Sequence, residues 1–135
     1  MGIYVHLPFC ARKCRYCDFN SRPAPQAERI EYLRALRTEI SARAQEVGQG
    51  RTVATVFFGG GTPTIYDGED LARLLGMIGE TFHVRRGAEI SIEANPESVD
   101  ARKLRRLWTA GFNRLSVGAQ SFDDDELRML GRGHT

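Results

Sequence analysis

Strand-like and helix-like segments alternate four times along this chain, and that alternation is the strongest constraint on its fold. Each strand-like run is short and rich in apolar residues; the runs cover about residues 3–8, 52–58, 89–95 and 113–120. Successive βα units build a parallel sheet with helices packed against it. The sequence therefore predicts an α/β protein with about four βα units.

Three long helices are predicted between the strands, and their apolar residues are assigned to core packing. The first runs to about Val47, where Gly48 and Gly50 are expected to end it. The second covers about residues 70–82, and the third is expected to begin at an N-cap, Asp100, and to stop at Gly111. The buried residues predicted on the first and third helices are Ile30, Leu33, Leu36, Ile40, Ala44, Val47, Leu104, Leu107 and Trp108.

Polar residues and glycines gather where the predicted strands end. Ligands of parallel α/β proteins bind at the carboxyl ends of the strands. The run Gly59–Thr62 follows the second strand, where it is either a tight turn or a place for close backbone approach to a ligand. Glu93 lies on a polar face of the third strand, and its alternatives are a ligand contact or a salt-bridged or edge-exposed carboxylate.

The fourth strand shows the same division between its two faces. Leu115, Val117 and Ala119 are expected to face the helices, whereas Ser116, Gly118 and Gln120 are expected to face the interior. The small residues in the second group leave space for a ligand. The edge of this strand is predicted to be open, because no further βα unit follows in the sequence.

All three cysteines of the chain lie at positions 10, 14 and 17, in a C-x3-C-x2-C spacing that one loop can wrap around a metal centre. Thiolates favour zinc, copper(I) or iron and sulfur. An odd number of ligands indicates an open coordination position. With His6 as a fourth ligand, a Cys3His zinc site remains an alternative, and so does one disulfide with a free thiol.

Composition and charge exclude several classes of protein. The 135 residues, 41% of them hydrophobic, indicate one domain at most. A net charge of +2 with interspersed acids and bases does not favour a nucleic-acid binder. No apolar run approaches the roughly 20 residues that cross a bilayer, and the N-terminus does not resemble a signal peptide. A cytoplasmic location is therefore expected.

The cysteine motif and its flanks resemble the radical S-adenosylmethionine (radical SAM) superfamily. The segment Tyr4-Val-His-Leu-Pro-Phe-Cys10 is similar to the opening of the branch that contains oxygen-independent coproporphyrinogen III dehydrogenases and haem chaperones. The resemblance implies a [4Fe-4S] cluster on Cys10, Cys14 and Cys17. It also implies S-adenosylmethionine on the fourth iron, whose reductive cleavage releases a 5′-deoxyadenosyl radical.

The resemblance extends to residues beyond the cysteines. The segment Gly59-Gly60-Gly61-Thr62-Pro63 resembles the GGGTP element of the family, which contacts the methionyl part of S-adenosylmethionine. The cofactor-binding residues implied in this way are Tyr4, Tyr16, Gly60, Gly61, Thr62, Glu93, Gln120 and Arg132. Without the resemblance, Arg132 carries no signal, because an arginine near a helix C-terminus is common.

One departure from the family pattern bears on function. The dehydrogenases continue the motif as C-x3-C-x2-C-x-C, whereas Phe19 stands here at the last cysteine position. This difference favours a haem chaperone, which binds haem and passes it to acceptor proteins, over the dehydrogenase, which decarboxylates the propionates of a porphyrinogen. A zinc-bound structural module is a third interpretation from another class.

The superfamily core is a partial (β/α)6 barrel, and about two of its units have no counterpart in this sequence. Residues 1–135 are therefore expected to form the N-terminal part of a radical SAM core domain. We expect such a chain to be unstable or aggregation-prone in isolation, because the edge after the fourth strand would be unpaired.

Overall fold

The predicted alternation of strands and helices is present in the computed structural model, which describes residues 1–47 and 51–135. In chain order the elements are β1 (Gly2–Leu7), β2 (Phe9–Cys10), β3 (Arg22–Pro23), α1 (Gln26–Val47), β4 (Thr52–Gly60), α2 (Gly68–Thr81), β5 (His83–Ala94), α3 (Ala101–Ala110), β6 (Arg114–Val117) and α4 (Asp124–Leu130). Short 3-10 helices at Pro63–Ile65 and Pro96–Ser98 follow β4 and β5.

The main sheet is parallel and has the spatial order β1-β4-β5-β6 within the described residues. Leu7 pairs with Gly60 at the carboxyl ends of β1 and β4, and Glu93 pairs with Ser116 near those of β5 and β6. The apolar face of the sheet meets α2, where Leu71, Leu74 and Ile78 are fully buried. The carboxyl ends of four neighbouring strands therefore lie along one edge of the sheet.

The predicted helix signals of α3 are confirmed. The Asp100 side chain accepts a hydrogen bond of 2.6 Å from the backbone N–H of Lys103, which satisfies an otherwise unpaired donor. Gly111 adopts a left-handed backbone with φ of 111° and ends the helix. The predicted stops of the first helix, Gly48 and Gly50, lie outside the described residues.

The prediction that Trp108 and Leu104 are buried is wrong. The Trp108 side chain is 72% exposed and Leu104 is 37% exposed, whereas Leu107 on the same helix is buried. Leu115 and Val117 on β6, expected to face helices, are also exposed. Leu104, Trp108 and Leu115 share one cause: they line the surface between α3 and the edge strand β6, and within the described residues nothing packs over that surface.

Other differences from the sequence predictions are smaller. Ile30, in the second turn of α1, is 42% exposed rather than buried. Between the cysteines and α1, where no strand was predicted, the two-residue strand β3 pairs with β2. None of the helices in the described segments is both long and apolar enough to cross a membrane.

Candidate cluster- and ligand-binding site

A cavity of about 430 Å³ lies at the carboxyl edge of the main sheet, against the cysteine loop. Its volume is in the range of small-molecule and cofactor sites. Most of the residues singled out from the sequence line it: Cys10, Cys14, Tyr16, Cys17, Gly61, Thr62, Glu93, Gln120 and Arg132. Tyr4 and Gly60 line an adjacent shallow pocket instead, and Glu93 and Phe19 border both spaces.

The cysteine loop is held closed by backbone groups and one lysine. The backbone N–H of Cys17 donates to the carbonyl oxygen of Cys14 at 3.2 Å, which makes a tight turn between the two thiols. The Lys13 ammonium donates to the carbonyl oxygens of Phe19 and Ser21 at 2.8 and 3.0 Å. The three cysteines are free and half-buried. Their thiols are therefore available as ligands inside one loop.

The glycine run after β4 allows very close approach to the start of the cysteine loop. A Cβ atom on Gly61 would lie 2.5 Å from the carbonyl oxygen of Phe9, so only glycine fits there without movement. The Gly61 N–H donates to the Leu7 carbonyl at 2.8 Å, and the Thr62 N–H donates to the Phe9 carbonyl at 2.9 Å. Gly60 has φ of +121°, a region that favours glycine.

Glu93 finds its partner in this glycine run. Its Oε2 atom accepts a hydrogen bond of 3.1 Å from the backbone N–H of Gly60, and the side chain is half-buried. Among the described residues, the ion pairs involve other carboxylates. The Glu93 carboxylate therefore lies at the border of the cavity without an ion-pair partner among the described residues. Burial, followed by this negative charge, raises the pKa of the nearby Tyr4 phenol.

Arg132 crosses the cavity from the segment that follows α4. Its guanidinium donates to Asn95 Oδ1 at 2.7 Å, to the carbonyl oxygen of Gly118, and to Cys14 Sγ at 3.4 Å. The buried Nε atom has no hydrogen-bond partner among the described residues. Partial burial raises the pKa of the adjacent Tyr16 phenol, and the positive charge of Arg132 opposes that shift.

Gln120 lies in the loop after β6 rather than in a strand, because β6 ends at Val117. Its φ is +70°, an uncommon value for a residue other than glycine, and such backbone strain often accompanies functional sites. Asn95 also lines the cavity but was not among the predicted site residues. The sequence feature that could have identified Asn95 is the two-residue period of a strand, which places it on the same face as Glu93.

The donor set fits a cluster better than a single zinc ion. In a zinc site all ligands lie about 2–2.3 Å from one ion. Among the residues that the structure covers, no three His, Cys, Asp or Glu side chains are grouped closely enough for that. His6 lines the adjacent pocket rather than the cysteine cavity, and its Nδ1 lies 3.1 Å from the Tyr4 hydroxyl. In an iron-sulfur cluster each cysteine binds a different iron atom, so the sulfur atoms can be farther apart.

These features define a class of α/β protein that holds its ligand at the carboxyl edge of a parallel sheet, beside a loop of three free cysteines. A profile of the Radical SAM superfamily matches residues 4–135. The chain belongs to this superfamily.

Several relatives and one solved structure are similar to most of this chain. The heme chaperone HemW of Bacillus subtilis is 42% identical over 97% of this chain and 35% of its own length. The oxygen-independent coproporphyrinogen III oxidase of Salmonella typhimurium is 38% identical over 98% of this chain and 29% of its own. The structure of coproporphyrinogen III oxidase (HemN) from Escherichia coli, a radical SAM enzyme, superposes with a TM-score of 0.92 at 38% identity. The superposition covers 99% of this chain and 31% of the HemN chain.

Two facts follow from these comparisons. The high TM-score shows that the parallel βα architecture is that of a radical SAM protein. The chain spans about a third of the length of the relatives that it matches.

Proposed function

We propose that this protein binds a [4Fe-4S] cluster and S-adenosylmethionine at the carboxyl edge of its sheet and acts in haem delivery as a haem chaperone. Cys10, Cys14 and Cys17 would hold the cluster. The observation that carries this proposal is the convergence of three free thiols, the Glu93 carboxylate and the Arg132 guanidinium on one cavity. When bound, the cluster supplies one-electron reductive cleavage of the sulfonium.

The charges around the cavity suit a ligand that carries both an ammonium and a carboxylate group. Glu93 offers a carboxylate to the ammonium, while the Arg132 guanidinium, which lines the same cavity, offers a positive charge to the carboxylate. Two cations at the cavity, Arg12 and Lys13, favour an anionic cluster. The narrow approach at Gly61 brings backbone groups of the glycine run to the cavity wall, where they can bind the methionyl part.

Replacing Glu93 with glutamine tests the ligand-binding part of this proposal. The glutamine oxygen can still accept the Gly60 N–H, so the loop is preserved and only the charge is lost. A hydrogen bond to a charged group contributes about 1.5–3 kcal/mol, so the dissociation constant of S-adenosylmethionine should rise about 10- to 150-fold. Calorimetric titration of the reconstituted protein measures it. Glu69→Gln is the matched control, because Glu69 pairs with Arg106 on the helical surface.

The choice of a haem chaperone rests on Phe19 and on the relatives. Phe19 borders the cavity, is 70% exposed, and provides no fourth thiol at its position. Relatives at 38–42% identity include several named heme chaperone HemW. The alternative is an oxygen-independent coproporphyrinogen III dehydrogenase, which the similarity to the Salmonella typhimurium enzyme favours.

Two assays separate these functions. A haem titration followed by the Soret absorption should show saturable binding, and loaded protein should pass haem to an acceptor apoprotein. Incubation with coproporphyrinogen III, S-adenosylmethionine and a reductant should give no decarboxylated product. Turnover of the porphyrinogen without haem binding would overturn the chaperone proposal in favour of the dehydrogenase.

A further inference from the structure

The side chain of Asn95 connects two of the three cysteines through hydrogen bonds. Its Nδ2 donates to Thr62 Oγ1 at 3.1 Å, and the Thr62 hydroxyl donates to Cys10 Sγ at 3.5 Å. Its Oδ1 accepts from Arg132 Nη2 at 2.7 Å, and Nη1 of the same guanidinium donates to Cys14 Sγ at 3.4 Å. The Asn95 amide thus binds both the group that donates to Cys10 Sγ and the group that donates to Cys14 Sγ.

The direction of every hydrogen bond in this network follows from the chemistry of its members. A guanidinium has only donors, so the oxygen of the Asn95 amide must face Arg132 and the nitrogen must face Thr62. A hydroxyl has a single hydrogen. Because the Thr62 oxygen accepts from Asn95, its hydrogen is free to point at Cys10. Thr62 is only 4% exposed, so water does not compete for that hydrogen.

The surrounding backbone holds the Asn95 side chain in place. Asn95 follows the last residue of β5, and its backbone N–H donates to the Ser98 hydroxyl at 3.0 Å. Gly118 lies directly against the network: a Cβ atom there would be 3.1 Å from Asn95 Oδ1 and 3.1 Å from the side-chain nitrogen of Gln120. The amide is therefore confined to the position that serves both donors.

We propose that Asn95 is a positioning residue that directs the Thr62 and Arg132 donors onto Cys10 and Cys14 and thereby raises the reduction potential of the cluster these cysteines hold. The physical reason is that hydrogen bonds to ligating sulfurs stabilise the reduced state, which carries more negative charge. This inference rests on the proposed cluster, and it adds the residue that sets the redox behaviour of that cluster.

The test is a redox titration of the reconstituted protein without S-adenosylmethionine, followed by electron paramagnetic resonance. Asn95→Leu is nearly isosteric and uncharged, and it removes both hydrogen bonds. At the wild-type midpoint, its ratio of reduced to oxidised cluster should fall about tenfold, which corresponds to a shift of about 59 mV to more negative potential for one electron. Asn113→Leu is the control, because the Asn113 amide bonds backbone groups of Ile90 and Ala88 instead.

A second pair of variants tests the same pathway without altering Asn95. Thr62→Val removes the hydroxyl donor and should also lower the midpoint potential. Thr62→Ser keeps the donor and should have the wild-type midpoint potential. If Asn95→Leu loads too little iron for titration, this pair decides: equal midpoints for the valine and serine variants overturn the proposal.

The outcomes distinguish this inference from the proposed function on which it rests. A wild-type protein without an iron-sulfur signal overturns both. A wild-type cluster whose midpoint is unchanged in Asn95→Leu, with equal iron content, overturns the role of Asn95 alone. A shift in Asn95→Leu and Thr62→Val, with Thr62→Ser and Asn113→Leu at the wild-type midpoint, supports it.

Discussion

Replacing Gly61 with alanine should lower the free energy of unfolding by about 2–4 kcal/mol. The added Cβ would lie 2.5 Å from the carbonyl oxygen of Phe9 and 2.8 Å from the carbonyl carbon of Pro8, both backbone atoms. Nonbonded atoms need about 3.5 Å, so the chain must move by about 1 Å. That movement weakens the hydrogen bonds from Gly61 N–H to Leu7 and from Thr62 N–H to Phe9.

The magnitude combines two terms. Overpacking in a tightly packed region costs about 1–3 kcal/mol, and the partial weakening of the two backbone hydrogen bonds adds about 1 kcal/mol together. Because the displaced residues lead directly into Cys10, the variant should also bind less iron than the wild type after reconstitution.

The assay is a urea titration followed by far-UV circular dichroism, because Trp108 is too exposed to report on folding by fluorescence. If the chain lacks a folded baseline, trimethylamine N-oxide in all samples raises its stability. Gly79→Ala is the control: a Cβ atom at this helical position meets nothing within 4 Å, so alanine should stabilise by about 0.4–1 kcal/mol. A Gly61→Ala variant within about 0.5 kcal/mol of wild type, with full iron binding, would refute the steric argument.

Gly111→Ala should destabilise the protein by about 1–2 kcal/mol through backbone strain, since the new Cβ has room but φ is +111°; an unchanged urea midpoint would contradict this. The Lys103 N–H holds the pKa of Asp100 below its ordinary value of 3.8. The stabilisation that the ionised Asp100 side chain provides is therefore complete above its ordinary pKa and is lost as the pH falls through the lower pKa of the folded state. The stability difference between wild type and Asp100→Ala should therefore shrink in acid; a constant difference would argue against the cap. Trp108→Gln should change stability by less than about 0.5 kcal/mol, whereas Leu74→Ala should cost about 2–5 kcal/mol; a large loss for Trp108→Gln would contradict its exposure.

Local signals were sufficient to predict the four strands of the main sheet and the three helices between them, but not the short strands β2 and β3. The cap at Asp100 and the stop at Gly111 depend on a few neighbouring residues, so they can be inferred from the sequence. The alternation of βα units likewise restricted the sheet to a parallel one. Burial was predicted less well: Trp108 and Leu115 have apolar spacing, but their exposure depends on whether another element packs over α3 and β6.

The site was predicted as a set of strand ends, but its connections were not. Cysteine spacing, the glycine run and the position of Glu93 are visible in the sequence. The contact between Cys14 and Arg132 joins residues 118 positions apart, and the Asn95 network depends on side-chain rotamers. No local pattern specifies such contacts, because they arise only when the sheet brings four strand ends together.

The most direct test of the central claim is the iron and acid-labile sulfide content of the anaerobically reconstituted protein and of its Cys14→Ala variant. We expect about four iron and four sulfide atoms per chain in the wild type, and loss of the cluster in the variant. One zinc per chain without sulfide, or an intact cluster in Cys14→Ala, would contradict the assignment of Cys10, Cys14 and Cys17 as its ligands.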